Sequence, residues 1–376
     1  MDFLQKLKHL RHKAYLAMYR RKPIQRNKVI MWSDDYKSFG CSPKYIALYL
    51  AKNFPGKYDL VWVMEHGRPV PEGFPEGVRL VRHFSIEYLR EISTAKVIIC
   101  NHRTGNHHAF SKRKGQYYIQ TWHSSLRLKR IEGDAPGLGE EYARFAREDS
   151  AKIDLLLSGC GFSSDIFRRA FWYDGEIFEH GTPRCDGFFG DNSAVKEKVF
   201  RFFGIENGKK LALYAPTFRK DKKAGVYGMD FKMLGKALGD DWVVGCRLHP
   251  NLNAEVSGDD CIPMSSYPDM QELLMACDLL ITDYSSSMFD MAVAGKKCAL
   301  YVPDLENYMA NERGLYFDIK QLPFPRAENM EQLCDNVANF EGYEDRCREF
   351  LKEIRSFEDG NAAAAVAQRI ERICNG

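Results

Sequence analysis

"DLLITDYSSSMFDMAVAGKKCALYVPD", residues 278 to 304, holds a short apolar run, a polar cluster, a helix-length stretch and a second apolar run. LLIT reads as a strand, Asp283, Tyr284 and the three serines after it as the opening of a helix, and CALYVPD (298–304) as the next strand. Two strands joined through a helix lie parallel. Parallel strands are covered on both faces, which is why such runs are continuously apolar rather than alternating.

Working outward, the same alternation fills the chain. KLALYAPT (210–217) and WVVGCRLHP (242–250) belong with this unit in the second half. In the first half KVIMW (28–32), DLVWVM (59–64), RLVRH (79–83), AKVIIC (95–100), QYYIQTW (116–122) and DLLLSG (154–159) read as strands, separated by helix-period segments such as SPKYIALYLAKNF. The loop-rich GTPRCDGFFGDNS divides the two series, and 376 residues exceed what one core usually holds. The expected fold is α/β: two Rossmann-like doubly wound domains, 26–190 and 191–341, facing a cleft. A basic amphipathic helix over 1–25 precedes them, and C-terminal helices over 342–376 pack back across both.

The formal charge of +3 is nearly balanced, which argues against a nucleic-acid partner, but residues 1 to 30 hold nine Lys/Arg and one acid, Asp2. Phe3, Leu4, Leu7, Leu10, Ala14, Tyr15 and Met18 recur at helical spacing among those cations. Residues 1–22 therefore read as an interfacial helix on an anionic membrane surface, with a helix packed on the body as the equal alternative. The eleven cysteines form no CxxC and read as reduced, mostly buried thiols. No apolar run approaches the roughly 18 residues that span a bilayer, and no signal peptide is evident. The expected place is the cytoplasmic face of the cell membrane, peripherally bound.

In open α/β sheets ligands bind beyond the carboxyl ends of the strands, so polar residues that follow a strand are the candidates for chemistry. His123 follows QYYIQTW; a neutral imidazole there can take a proton near pH 7, and Arg127, Lys129 and Arg130 could hold an anionic acceptor beside it. His249, in CRLHP, could donate to a phosphate oxygen or protonate a leaving group. Thr217 and Arg219 follow another strand, and Asp283, Tyr284, Ser285 and Ser286 suit a diphosphate cradle. Loop-bonded histidines and a plain serine cap would leave the same letters.

No GxSxG, GxxxxGK[ST], HExxH or strand-following GxGxxG occurs. The pairs Asp34–Asp35, Asp240–Asp241 and Asp259–Asp260 read as solvated turns. The histidines of NHRTGNHH (101–108) lack carboxylates or cysteines at ligand spacing, so neither a metal nor a cofactor is expected.

Five blocks in order, QTWHSSLRLKRIEGD, LLLSGCGFSSDIFRRAFWYDGEIFEHGTPRCD, YAPTFR, RLHPN and DLLITDYSSSMFDMAVAGKKCALYVPDLENYMANERGLYFD, resemble the CDP-glycerol glycerophosphotransferases of teichoic-acid and related polymer synthesis. The resemblance implies a GT-B architecture in which an acceptor hydroxyl attacks the polyol-bearing phosphorus of a CDP-polyol donor and CMP leaves. It implies His123 as base and His249 as donor-phosphate or leaving-group contact. Thr217, Arg219, Asp283, Tyr284, Ser285 and Ser286 fall in the donor blocks, and a lipid-linked or saccharide acceptor is implied. Where the family commonly carries Trp-His-Gly, this chain has Ser124, Ser125 and Leu126 after the histidine, so the loop takes another shape there. Two other readings fit the same pattern: a GT-B glycosyltransferase using a nucleotide sugar, and a noncatalytic membrane-associated binder of anionic polymer.

Overall fold

A computed structural model describes residues 3–104, 111–217, 219, 227–248, 260–311 and 314–376. Two sheets organise them. In the first, β1 (Gln25–Trp32), β2 (Asp59–Met64), β3 (Val78–Arg82), β4 (Ala95–Cys100), β5 (Tyr117–Gln120), β6 (Leu155–Leu157) and β7 (Glu176–Phe178) lie in the order β3-β2-β1-β4-β5-β6-β7. In the second, β8 (Lys210–Ala215), β9 (Trp242–Cys246), β10 (Ile262–Pro263), β11 (Leu279–Thr282), β12 (Lys297–Tyr301) and β13 (Arg326–Ala327) lie in the order β10-β9-β8-β11-β12-β13. Every pairing described is parallel.

The side-chain period of two explains the layers. Val29 and Met31 enter the apolar layer made with helices Cys41–Asn53 and Ala362–Asn375, while Ile30 and Trp32 enter the opposite one with helix Ile86–Thr94. In the second sheet Leu211, Leu213 and Leu280 face one layer, and Ala212, Tyr214 and Ile281 the other. Each large apolar side chain so buried contributes about 1.5–3 kcal/mol relative to exposure.

Both sheets carry a switch point, β1/β4 in the first and β8/β11 in the second, where neighbouring connections run off in opposite directions. The loops after β1, β4 and β5 thus gather at one crevice and those after β8, β9 and β11 at another, and the two crevices face each other.

The C-terminal segment crosses between the two layers of cores. Helix Tyr343–Glu353 stacks Phe350 on Phe289, 5.7 Å between ring centres, in the second unit. Ser356 then bridges to Cys160, and helix Ala362–Asn375 lays Val366 and Ile370 into the first unit. The Asp186 carboxylate receives the first amides of that helix, from Ala362 at 3.0 Å and Ala363 at 2.7 Å. This satisfies donors that a helix start otherwise leaves without partners.

The amino-terminal helix, Phe3–Tyr19, is docked along one face. Tyr15, Leu16 and Tyr19 pack on the core beneath helix Ile86–Thr94, and His12 stacks on Phe84. Leu10, 64% exposed, and Met18, 46% exposed, point the other way beside exposed Arg11, Lys13, Arg21 and Lys22. No helix among the described residues is long and apolar enough to cross a membrane. All eleven cysteines are free thiols, most of them buried.

Candidate active site

β5 ends at Gln120, two residues before the apolar run does. Gln120 Oε1 accepts the Trp122 amide at 2.9 Å, and Trp122 takes a left-handed φ of 51°, which turns the chain out of the sheet. A non-glycine residue holds that conformation only when its surroundings impose it. Here the indole is pinned edge-on to Phe171 at 4.9 Å. The turn delivers His123 to the cleft, stacked between Trp122 at 4.4 Å and His102 at 4.5 Å.

His123 Nδ1 lies 3.1 Å from the Asn101 carbonyl oxygen. A carbonyl can only accept, so this contact places the proton on Nδ1 and leaves the Nε2 lone pair for another partner. Burial pushes the imidazole well below its ordinary value; His102, Arg127 and Arg184 push the same way, and the Asn101 carbonyl only partly opposes them. The ring is therefore a neutral base at physiological pH.

His123 borders a cavity of about 460 Å³ between the two units. Across it stand Thr217, Ser285, Ser286 and Ser287, from the loops after β8 and β11. Arg127, Lys129, Arg184 and Arg247 also line it, and among the described lining residues there is no carboxylate. Arg127 is buried, with its guanidinium 4.3 Å above the Phe167 ring, and its Nε and Nη1 meet no hydrogen-bond partner among the described residues. Burial lowers its pKa to about 10. The Thr217 hydroxyl is likewise buried without a partner among the described residues. Buried polar groups left open in this way are what an anionic ligand would satisfy.

Tyr284 also borders the cavity, whereas Arg219 and Asp283 stand behind it. Arg219 gives Nε and Nη2 to Asp304 at 2.8 and 3.1 Å and Nη1 to Thr217 O at 2.7 Å, with Asp283 at 2.9 Å. Two carboxylates and a carbonyl thus hold its donors. Asp283 accepts the Thr217 amide through both oxygens, at 2.8 and 3.0 Å, and so braces the loop. Tyr284 is fully buried, stacks on Tyr308 at 3.5 Å and donates to Asp304 at 3.1 Å.

Ser286 Oγ accepts the Leu128 amide at 3.2 Å, tying the two units together, and Ser285 pairs with Ser287 at 2.8 Å. Helix Ser287–Val293 that follows is two turns long. Arg130 is exposed, outside the cavity, with Nε directed at the Leu315 carbonyl at 3.3 Å. The Arg130 amide pairs with the Gly314 carbonyl at 2.8 Å, and Arg127 and Lys129 line the cavity without it. His249 lies outside the described residues, as do His107 and His108.

The model of the CDP-glycerol:poly(glycerophosphate) glycerophosphotransferase family matches residues 14–372. The chain belongs to this family. It is 32% identical over 350 residues to a teichoic acid poly(glycerol phosphate) polymerase of Bacillus subtilis, covering 87% of this chain and 45% of that protein. It is 30% identical to a protein of the same name from Bacillus spizizenii, covering 92% of this chain and 93% of the other. The chain thus spans less than half the length of the first relative and nearly all of the second. Among solved structures, that of the wall teichoic acid polymerase TagF in a CDPG-soaked form superposes with a TM-score of 0.86 at 28% identity, covering 100% of this chain and 99% of that one.

Two further family-chain residues escaped the sequence reading. Arg184 donates to the His123 carbonyl oxygen, to Gln271 at 2.6 Å and to Asp290, so one guanidinium ties the His123 loop to the second unit. Arg247 lines the cavity and donates to the Tyr267 carbonyl. Arg184 sits in GTPRCD and Arg247 in RLHPN, both among the quoted blocks, and position after a strand end was the signal available for Arg247.

Proposed function

We propose that the chain transfers glycerol phosphate from CDP-glycerol to a hydroxyl of a teichoic-acid-type acceptor and releases CMP. The observation that carries this reading is one cavity bordered by a neutral, locked imidazole and four cations. The acceptor oxygen attacks the glycerol-bearing phosphorus. A new O–P bond forms as the bond from that phosphorus to the CMP oxygen breaks, the acceptor proton passes to Nε2 of His123, and the electron pair departs with CMP.

Phosphoryl transfer is accelerated mainly by positioning and charge stabilisation, which is the use for Thr217, Arg247 and Ser285–Ser287 against the diphosphate. Arg219, Asp283 and Tyr284 brace that wall. Ser286 acts there as a tie between the units. Arg127 and Lys129 serve the acceptor side. His249 keeps the leaving-group role on the family resemblance, two positions after Arg247.

The acceptor would be lipid-linked and the enzyme peripheral on the cytoplasmic leaflet. The exposed Leu10 and Met18, with Arg11, Lys13, Arg21 and Lys22 around them, support that seat.

Nucleotide release from CDP-glycerol, CDP-ribitol and a panel of nucleotide sugars, each with a teichoic acid acceptor, tests the reading. CMP from a CDP-polyol is expected. Turnover of a nucleotide sugar alone would make the chain a glycosyltransferase, and polymer binding with no turnover of any donor would make it a binding protein.

A further inference from the structure

A second cavity, about 210 Å³, adjoins the first and shares His123, Arg184, Arg247 and Met270 with it. Its remaining wall includes Asp34, Ser38 and Cys41, from the loop after β1. The two chambers meet at the imidazole and differ in charge. The larger is lined by cations without a carboxylate among the described residues, whereas the smaller exposes Asp34. The other charges there are engaged: Asp269 with Lys44 at 2.7 Å, Arg184 with Asp290, and Arg247 with the Tyr267 carbonyl at 2.5 Å.

The backbone that presents Asp34 is held in a costly conformation. Asp34, Asp35 and Tyr36 have consecutive φ values of 49°, 53° and 70°, at the switch point beside β4. Aspartate tolerates the left-handed region, but a tyrosine seldom does, and such strain concentrates at functional sites. Tyr36 is held there by stacking on Trp32 at 5.1 Å and His83 at 3.6 Å.

The turn leaves the Asp34 side chain 42% exposed to the cleft. Its orientation is fixed by Asn101, which accepts the Asp34 amide and donates Nδ2 to Asp34 Oδ1, both at 2.9 Å. Ser38 Oγ donates to Oδ2. The same Asn101, fully buried, accepts His123 Nδ1 through its own carbonyl. One residue therefore fixes the carboxylate and the base relative to each other. Among the described residues the nearest cation-capable group to Asp34 is His102 Nδ1 at 3.8 Å.

A carboxylate accepts hydrogen bonds at about four lone-pair sites, and two protein donors leave room for more. It repels phosphate and favours hydroxyl groups. The chamber is smaller than the roughly 300 Å³ from which drug-sized pockets begin, which suits a short polyol rather than a nucleotide.

We propose that this smaller chamber seats the terminal polyol of the acceptor: Asp34 and Ser38 take the hydroxyl next to the attacking one, and the attacking hydroxyl is thereby presented to His123 Nε2. The proposal rests on the phosphotransferase reading and adds to it how the acceptor end is recognised.

The test uses the full chain, CDP-glycerol, and two soluble acceptors, one ending in glycerol phosphate and one ending in 1,3-propanediol phosphate, which lacks the neighbouring hydroxyl. Asp34→Asn keeps a side chain that tolerates positive φ but removes the charge; Ser38→Ala removes one donor to the carboxylate. In the wild type the deoxy end should show a KM about 10- to 100-fold higher. Asp34→Asn should raise the glycerol-ended acceptor KM by a similar factor and erase the discrimination, with the donor KM unchanged; Ser38→Ala should do so to a smaller degree. An unchanged donor KM also reports that the variants fold. Wild-type acceptor KM and discrimination in both variants, or a rise confined to donor KM, would overturn the proposal. A wild type that releases no CMP from CDP-glycerol would instead remove the function reading, and this proposal with it.

Discussion

Arg127 shows how the site trades stability for chemistry. Its guanidinium is buried against Phe167, and two of its three nitrogens meet no partner among the described residues. Burial lowers its pKa to about 10, which corresponds to a cost of roughly 3 kcal/mol, carried in full at neutral pH because the group is still protonated there. Arg127→Met should therefore raise the melting temperature while weakening catalysis. The same substitution removes a positive charge that helps hold the His123 imidazole below its ordinary value of 6.5. The acid limb of kcat/KM should shift upward toward 6.5, so the loss is deeper at pH 6 than at pH 8. A pH–rate profile beside a thermal melt checks both signs. A less stable variant with an unshifted limb would show that Arg127 is structural.

The amino-terminal helix poses its question as an element. Its apolar residues fall into two sets, with Tyr15, Leu16 and Tyr19 docked on the core and Leu10 and Met18 facing outward. The sequence alone showed one broad apolar pattern and could not say which part the body covers. If the outward set meets lipid, Leu10→Asp with Met18→Asp should lower binding to phosphatidylglycerol vesicles by about 10-fold or more, since each buried apolar side chain contributes about 1.5–3 kcal/mol. Turnover with a soluble acceptor should be unaffected. Equal sedimentation of variant and parent would leave the helix a packing element only.

Legibility also divides by element. Strands such as β1, β2 and β11 are buried on both faces and announced themselves as apolar runs. β7, β10 and β13 are two or three residues long, too short for any period to register. His123 was readable because it follows a strand. Asn101, Asp34 and Arg184 were not, because their roles come from contacts across 22, 67 and 61 residues of chain. The carboxylate partner of Arg219 was hidden for a related reason, since Asp304 lies 85 residues away along the chain.

At the scale of the whole molecule, the cleft exists because the two units are tied at its back. Lys44 on helix Cys41–Asn53 reaches Asp269 and Glu272 at 2.7 and 2.6 Å, Arg184 reaches Asp290, and the crossing segment engages Thr182 through Glu358. Burial pushes the Glu358 carboxyl up to about 7. These ties set the imidazole of one unit across from the hydroxyls and Arg247 of the other. The most direct measurement is therefore the rate of CMP release from CDP-glycerol by His123→Ala, taken with its donor affinity by calorimetry. A loss of about 10²- to 10⁴-fold in turnover with donor affinity nearly unchanged is the predicted result. Turnover equal to that of the parent chain would contradict the account.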